Sequence, residues 1–113
     1  MFGFFLMQNK NVILKGLKQS LKHHFHDKVK DVILFGSREA ETASEDSDYD
    51  ILIVTNHDYD WRFADKISNI VYDIELKYDI IIDDFLISTK ELNNSLRGAQ
   101  AVFVNAINNG FYA

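Results

Sequence analysis

The sequence predicts an α/β protein with a small mixed β-sheet and flanking helices. Stretches in which apolar residues recur at helical spacing alternate with short apolar runs rich in β-branched residues, a pattern that indicates alternating helices and strands. Of the residues, 47% are hydrophobic and 26% are charged, a balance typical of a folded protein rather than a disordered one. At 113 residues the chain can bury one modest core, so we expect residues 1–113 to form a single domain.

The first third of the chain predicts a helix followed by a buried strand. Apolar residues recur every four positions over residues 9–27, which predicts an amphipathic helix. The apolar run over residues 31–35, ended by Gly36, predicts a strand. The earlier run Phe2–Met7 is too short to span a membrane, and we expect it to be a strand or a packing segment at the edge of the core. The helical stripe comprises Ile13, Leu17, Leu21 and Phe25.

The remainder of the chain continues the alternation. Ser37 can act as an N-cap, and Glu39 and Glu41 favour the first turn of a short helix, with a loop over residues 42–47. Ser88 or Thr89 caps a later helix, with Glu91 placed for a capping box. The other predicted elements are a strand over 48–54, a helix over 59–77, a strand over 79–88 and a helix over 98–109.

Charge and cysteine content exclude several classes of protein. The formal net charge of −5 argues against non-specific binding to duplex nucleic acid, because such proteins carry a basic surface that neutralises phosphates. The absence of cysteine excludes disulfides, thiolate metal sites and a cysteine nucleophile. We expect a soluble, cytoplasmic protein that does not bind membranes.

A Gly-Ser pair and an Asp-x-Asp sequence, ten residues apart, carry the chemistry. Gly36 lets a phosphate approach the backbone closely, and Ser37 with the N–H groups of the following helix would form an anion site. Asp48 and Asp50 are two apart on a predicted strand, so both project from one face. Adjacent carboxylates repel unless a cation neutralises them, and Mg²⁺ prefers a few carboxylates together with substrate phosphates. The pattern therefore indicates a nucleotide bound through Mg²⁺.

The stretch from Gly36-Ser37-Arg38 to Asp48-Tyr49-Asp50 resembles the signature of the polymerase-β-like nucleotidyltransferase superfamily. It is most similar to the minimal group, whose pattern is Gly-Ser, ten residues, Asp-x-Asp. The resemblance implies the nucleotidyltransferase fold and a two-metal reaction, in which a hydroxyl attacks the α-phosphate of ATP and pyrophosphate leaves. It implies that two Mg²⁺ ions bind Asp48 and Asp50. The nucleotide-binding residues that it implies are Gly36, Ser37, Arg38 and Ser47.

The resemblance also implies a third carboxylate on a neighbouring strand, which binds metal and helps to deprotonate the acceptor. Asp79, Asp83 and Asp84 compete for this role. Alternation along a strand would put Asp79 and Asp83 on one face and Asp84 on the other. We favour Asp83 as the third catalytic and metal-binding carboxylate, because a carboxylate in the middle of an apolar strand has little reason to be there other than a function. Asp79 is the alternative.

Resemblance to the minimal group further implies a partner protein. In that group the nucleotidyltransferase is the antitoxin of a toxin–antitoxin pair and transfers AMP to a tyrosine of a helical HEPN toxin. The group often continues Gly-Ser-Arg with a second Arg and a Gly, whereas this chain has Glu39, Ala40 and Glu41. Two alternatives therefore stay open: a non-catalytic subunit that pairs with a HEPN protein by contact, and a transferase acting on a small molecule such as an antibiotic, its pocket completed in a homo-oligomer.

Overall fold

The computed structural model describes residues 2–36 and 49–113, with side chains described from residue 10 onward. In chain order the elements are α1 (Phe2–Phe25), a 3₁₀ turn (His26–Lys28), β1 (Val29–Phe35), β2 (Tyr49–Thr55), α2 (Trp61–Tyr78), β3 (Ile82–Ser88), α3 (Thr89–Asn94), α4 (Ala101–Asn109) and β4 (Phe111–Tyr112).

The described strands form one mixed sheet in the order β3-β2-β1-β4. β1 runs antiparallel to both β2 and β4, whereas β2 and β3 are parallel and are joined through α2. A parallel pair needs such a crossover, since a tight turn can only join antiparallel neighbours. The predicted fold class, a mixed sheet with flanking helices, is confirmed. The two-residue strand β4 was not predicted.

Two apolar clusters cover the two faces of the sheet. One face packs against α1 and α2, and the other packs against α4. Alternate residues of β2 divide between them: Ile51 and Ile53 belong to the first cluster, and Leu52 and Val54 to the second. Because both faces are covered, β2 is apolar almost throughout its length. The first cluster includes the whole predicted stripe of α1, namely Ile13, Leu17, Leu21 and Phe25.

Helix α1 begins earlier than predicted. The run Phe2–Met7 lies within the helix, so its interpretation as a strand is wrong. Nothing between this run and the periodic segment breaks a helix, and each further residue adds a hydrogen bond once a helix is nucleated. The helix ends at Phe25, and His26 follows with φ of 52°, in the left-handed region. No helix in the described part of the chain is long and apolar enough to cross a membrane.

Helix α2 ends before the predicted third strand begins. Asp79, expected at the start of that strand, is instead the C-cap of α2, with φ of 53° and ψ of 53°. Aspartate tolerates this left-handed conformation better than most residues, which is why a helix can end there. The strand itself starts at Ile82. The prediction that Asp79 and Asp83 share one strand face is therefore wrong.

The predicted start of α3 and the predicted end of α4 agree with the structure. Ser88 accepts a hydrogen bond from the Glu91 N–H at 3.1 Å, and Glu91 accepts one from the Ser88 N–H at 3.2 Å, so the predicted capping box is present. The last helix, α4, ends at Asn109 before Gly110, as expected. The short helix predicted after Ser37 and the loop over residues 42–47 lie outside the described residues.

Candidate functional site

Asp50 and Asp83 lie side by side on neighbouring parallel strands. Their Cα atoms are partners in the register of β2 and β3. Adjacent strands are separated by about 5 Å, and partners in register project from the same face of a sheet. Asp50 is half-buried and Asp83 is exposed. The fold therefore brings together two carboxylates that are 33 positions apart in the sequence, both near the first residues of their strands.

An aromatic cluster lies beside the two carboxylates on the same face. Phe35 is the register partner of Asp50 on β1, and Phe85 follows Asp83 by two residues on β3. The rings of these two phenylalanines are 5.5 Å apart, and Phe103 of α4 lies 6.3 Å from Phe85. Such an apolar wall lowers the local dielectric constant and strengthens electrostatic interactions at the carboxylates.

Gly36 directly follows β1 and lies against Asp50. Its φ of +75° lies in the left-handed region, which glycine adopts at little cost. A Cβ built on Gly36 would collide with the Asp50 carboxylate. Glycine is thus required both by the backbone conformation and by the space. The Gly-Ser end of the motif and one carboxylate of the Asp-x-Asp end meet at this point.

The other two candidate acids lie elsewhere. Asp84 has Ile51 as its register partner and so faces the α1 and α2 side of the sheet, away from Asp50. Burial raises the pKa of the Asp84 carboxyl, and the neighbouring charges of Glu75 and Asp83 raise it further. Asp79 lies in the connection before β3. Of the three candidates, only Asp83 is the register partner of a motif carboxylate, although its catalytic role stays a prediction.

Several predicted site residues lie outside the described residues: Ser37, Arg38, Ser47 and Asp48. Within residues 10–36 and 49–113, no group of three or more His, Asp or Glu side chains is arranged to hold a metal ion. The described half of the site contributes two carboxylates, Asp50 and Asp83. The roles predicted for Gly36 and the four residues above stay predictions.

The donor set of the site suits a hard divalent cation. Two unit charges about 5 Å apart repel by about 1 kcal/mol in water and by about 3 kcal/mol at an effective dielectric constant of 20. A divalent ion between them converts this repulsion into attraction, and carboxylate oxygens are the ligands that Mg²⁺ prefers. The pair formed by Asp50 and Asp83, with the close glycine backbone at Gly36, therefore fits the metal-bound phosphate that the sequence motif predicts.

The comparisons with known proteins identify the family of the chain. The sequence profile of the nucleotidyltransferase domain matches residues 14–102. The chain belongs to the nucleotidyltransferase family. That stretch contains β1, β2, α2 and β3, and with them Gly36, Asp50 and Asp83. Membership makes the chain a transferase, as the resemblance in the sequence implied.

Two similar proteins come from Methanocaldococcus jannaschii, and both carry the name "Putative protein adenylyltransferase". One is 31% identical over 86 residues, which are 76% of this chain and 80% of the relative. The other is 35% identical over 74 residues, which are 66% of this chain and 75% of the relative. No solved structure matches the chain.

A concavity of about 440 Å³ lies at the opposite end of the sheet from Asp50 and Asp83. Thr55, the last residue of β2, lies in its wall, together with residues that precede or begin α2. Two acids, Asp58 and Asp60, also line it, and Asp60 already caps α2 by accepting a hydrogen bond from the Phe63 N–H. The concavity is thus separate from the described site residues Gly36, Asp50 and Asp83.

Sequence reasoning missed the side chains that hold β3. The Ile82 N–H donates to Glu75 at 2.9 Å, and the Tyr59 hydroxyl donates to the Leu86 carbonyl at 2.9 Å. Arg97 donates to the Tyr59 hydroxyl at 3.2 Å. Burial of Tyr59 raises the pKa of its phenol. Only the Ser88 capping box had a recognisable sequence signal; the other contacts join residues whose spacing follows no motif.

Proposed function

We propose that the protein is a Mg²⁺-dependent nucleotidyltransferase that transfers AMP from ATP to a hydroxyl of an acceptor protein. The observation that carries the proposal is the register pairing of Asp50 with Asp83, next to the glycine that ends β1. Paired carboxylates suit a metal-bound triphosphate, and family membership of the chain supports the proposal. The cytoplasm is the proposed place of action, because ATP is available there.

The proposed nucleotide site lies where β1 ends. The backbone at Gly36, with Ser37, Arg38 and Ser47, would bind the phosphates of ATP. Backbone N–H groups at the start of a helix favour an anion, and a cationic side chain adds charge. The close approach of Gly36 to Asp50 supports a triphosphate that contacts both the loop and the metal-binding carboxylates.

Three carboxylates would take part in nucleotidyl transfer. Asp48, Asp50 and Asp83 would hold two Mg²⁺ ions, which when bound neutralise the carboxylates and polarise the phosphoryl oxygens. Asp83 is the more exposed of the described pair, which supports its contact with an acceptor. We propose that it accepts the proton of the acceptor hydroxyl. The oxygen then bonds to the α-phosphorus while the bond from that phosphorus to pyrophosphate breaks, and the protein mainly positions these groups.

The acceptor that we propose is a tyrosine of a helical HEPN-type toxin, with this protein as its antitoxin. Both relatives carry names that describe a protein as their acceptor. Among the described residues β3 is an edge strand and Asp83 is exposed, which suits a large acceptor such as a protein. AMP on a tyrosine adds a bulky anion that would disrupt the activity of such a toxin.

The test is transfer of label from ATP. The protein is incubated with Mg²⁺, with ATP labelled at the α-phosphate, and with the product of the neighbouring gene. We expect label on a tyrosine of that product, and none when EDTA is present. ATP labelled at the γ-phosphate serves as a control, since nucleotidyl transfer leaves no label from it on the acceptor.

The other outcomes identify the alternatives. Label on a small hydroxylated compound, with none on any protein, would contradict the protein acceptor and support a small-molecule transferase. If no acceptor is labelled but the protein still binds and neutralises the toxin, the protein acts by contact alone and the proposal fails.

A further inference from the structure

We propose that Glu75 is a positioning residue that sets the place of Asp83. The inference rests on the proposed function, because it concerns the third carboxylate of that reaction. Glu75 lies near the end of α2, whereas Asp83 is the second residue of β3. Neither the resemblance nor the motif implies a role for Glu75.

Glu75 ties together the whole connection between α2 and β3. Its carboxylate accepts a hydrogen bond from the Ile82 N–H at 2.9 Å. Its backbone carbonyl accepts from the N–H groups of Asp79 and Ile80, the latter at 3.2 Å. One residue thus fixes the end of the helix, the turn after it and the first residue of the strand, and the next residue is Asp83.

The position of β3 at the edge of the sheet makes this contact important. Among the described strands, β3 pairs only with β2, so its outer side has no strand to hold it. Side chains bind its outer backbone groups instead: Glu75 at Ile82, Tyr59 at Leu86, and Glu91 at Ser88. Such contacts also block pairing with another chain, which is a usual hazard of exposed edges.

The contact at Ile82 has a particular consequence for the site. Successive residues of a strand project from opposite faces, so a slip by one residue would turn Asp83 away from Asp50. Even a shift of about 1 Å at a reacting group can lower a rate about 100-fold. Glu75 is the side chain that binds the strand next to Asp83, whereas the other two contacts lie three and five residues further along.

The chain offers a matched control at the other end of the same strand. Glu91 also accepts a hydrogen bond from a β3 N–H through its carboxylate, at 3.2 Å, but that N–H belongs to Ser88. Five residues of strand, about 17 Å, separate Ser88 from Asp83. Removing either carboxylate loosens β3, but only the removal of Glu75 loosens it beside the site.

The test compares Glu75→Ala, Glu75→Gln and Glu91→Ala in the labelled-ATP assay. We expect Glu75→Ala to lower kcat about 100-fold, with the KM for ATP changed less than about threefold. Glu75→Gln should restore most of kcat, because its amide oxygen can still accept the Ile82 N–H. Glu91→Ala should lose thermal stability but keep kcat within about threefold. If kcat falls equally in Glu75→Ala and Glu91→Ala, the loss reflects stability and the inference is overturned.

Hydrogen exchange gives a readout that does not depend on activity. The Ile82 amide should be protected in the wild type and in Glu75→Gln, and should exchange at least tenfold faster in Glu75→Ala. Unchanged protection in Glu75→Ala would overturn the inference, and so would lost protection with an unchanged kcat. If the wild type never transfers label but the three proteins show this exchange pattern, the proposed function is contradicted, while Glu75 remains the residue that holds β3.

Discussion

The replacement Gly36→Ala tests whether Gly36 only forms a turn after β1 or also keeps the candidate site intact. The left-handed φ of +75° would cost an alanine about 1–2 kcal/mol. Part of this is offset because alanine has less conformational freedom in the unfolded chain, by about 0.4–1 kcal/mol. We therefore expect a net loss of about 1 kcal/mol in the free energy of unfolding, or about 4 °C in Tm.

The expected effect of Gly36→Ala on activity is much larger than its effect on stability. The new Cβ collides with the Asp50 carboxylate, so this side chain must rotate away from its position beside Asp83. Because Asp50 is a proposed metal ligand, its displacement by about 1 Å or more should lower kcat/KM at least 100-fold. The assay is transfer of labelled AMP, with Tm measured on the same samples by differential scanning calorimetry.

A second glycine provides the control for Gly36→Ala. Gly16 lies inside α1 without a positive φ, and a Cβ there meets only the end of the Tyr78 side chain, its hydroxyl at 3.3 Å. Gly16→Ala should raise stability by up to about 1 kcal/mol, because alanine favours a helix, and should leave kcat/KM unchanged. If Gly36→Ala kept the wild-type Tm and kcat/KM, the reasoning that Gly36 leaves space for a catalytic Asp50 would be refuted.

Three further predictions concern the acids around β3. Asp83→Asn should reduce transfer at least 100-fold while Tm changes by less than about 2 °C, and retained transfer would exclude Asp83 as the third carboxylate. Asp79→Gly should keep its activity and change the free energy of unfolding by less than about 1 kcal/mol, because the relief of the left-handed C-cap is offset by the greater freedom of glycine in the unfolded chain; loss of activity would return the role to Asp79. Partial burial opposes ionisation of Glu91, but hydrogen bonds from the Ser88 N–H and from Arg97 outweigh it and lower the pKa of the carboxyl below 4.5. A lowered pKa stabilises the fold above pH 4.5, so Glu91→Gln should lose stability at pH 7, and urea titrations should show the difference closing as the pH falls below 4.5.

Periodicity in the sequence was sufficient to predict most elements. The stripe of α1, the strands β1 and β2 and the helix α2 all follow from apolar spacing, because burial against a sheet demands that spacing. The end of α2 was harder to predict. Asp79 followed by three isoleucines suggests a strand, yet a local left-handed cap ends the helix there. A single residue's backbone conformation leaves no periodic signal.

Some residues of the candidate site could likewise be predicted from the sequence, and others could not. The carboxylates Asp48 and Asp50 were identified from a motif, whose residues are close together in sequence. The pairing of Asp50 with Asp83 depends on the register between two strands, which the sequence of either strand alone does not determine. Glu75 could not be predicted at all, because its contact with Ile82 exists only after the helix and the strand have docked.

The central claim is that Asp50 and Asp83 together perform nucleotidyl transfer, and one comparison tests it most directly. Transfer of label from ATP is measured for the wild type, Asp50→Asn, Asp83→Asn and Asp84→Asn, the last being a control on the opposite face of β3. We predict transfer by the wild type and Asp84→Asn, and a loss of at least 100-fold in the other two variants. Undiminished transfer by Asp50→Asn or Asp83→Asn, or equal loss in all three variants, would contradict the claim.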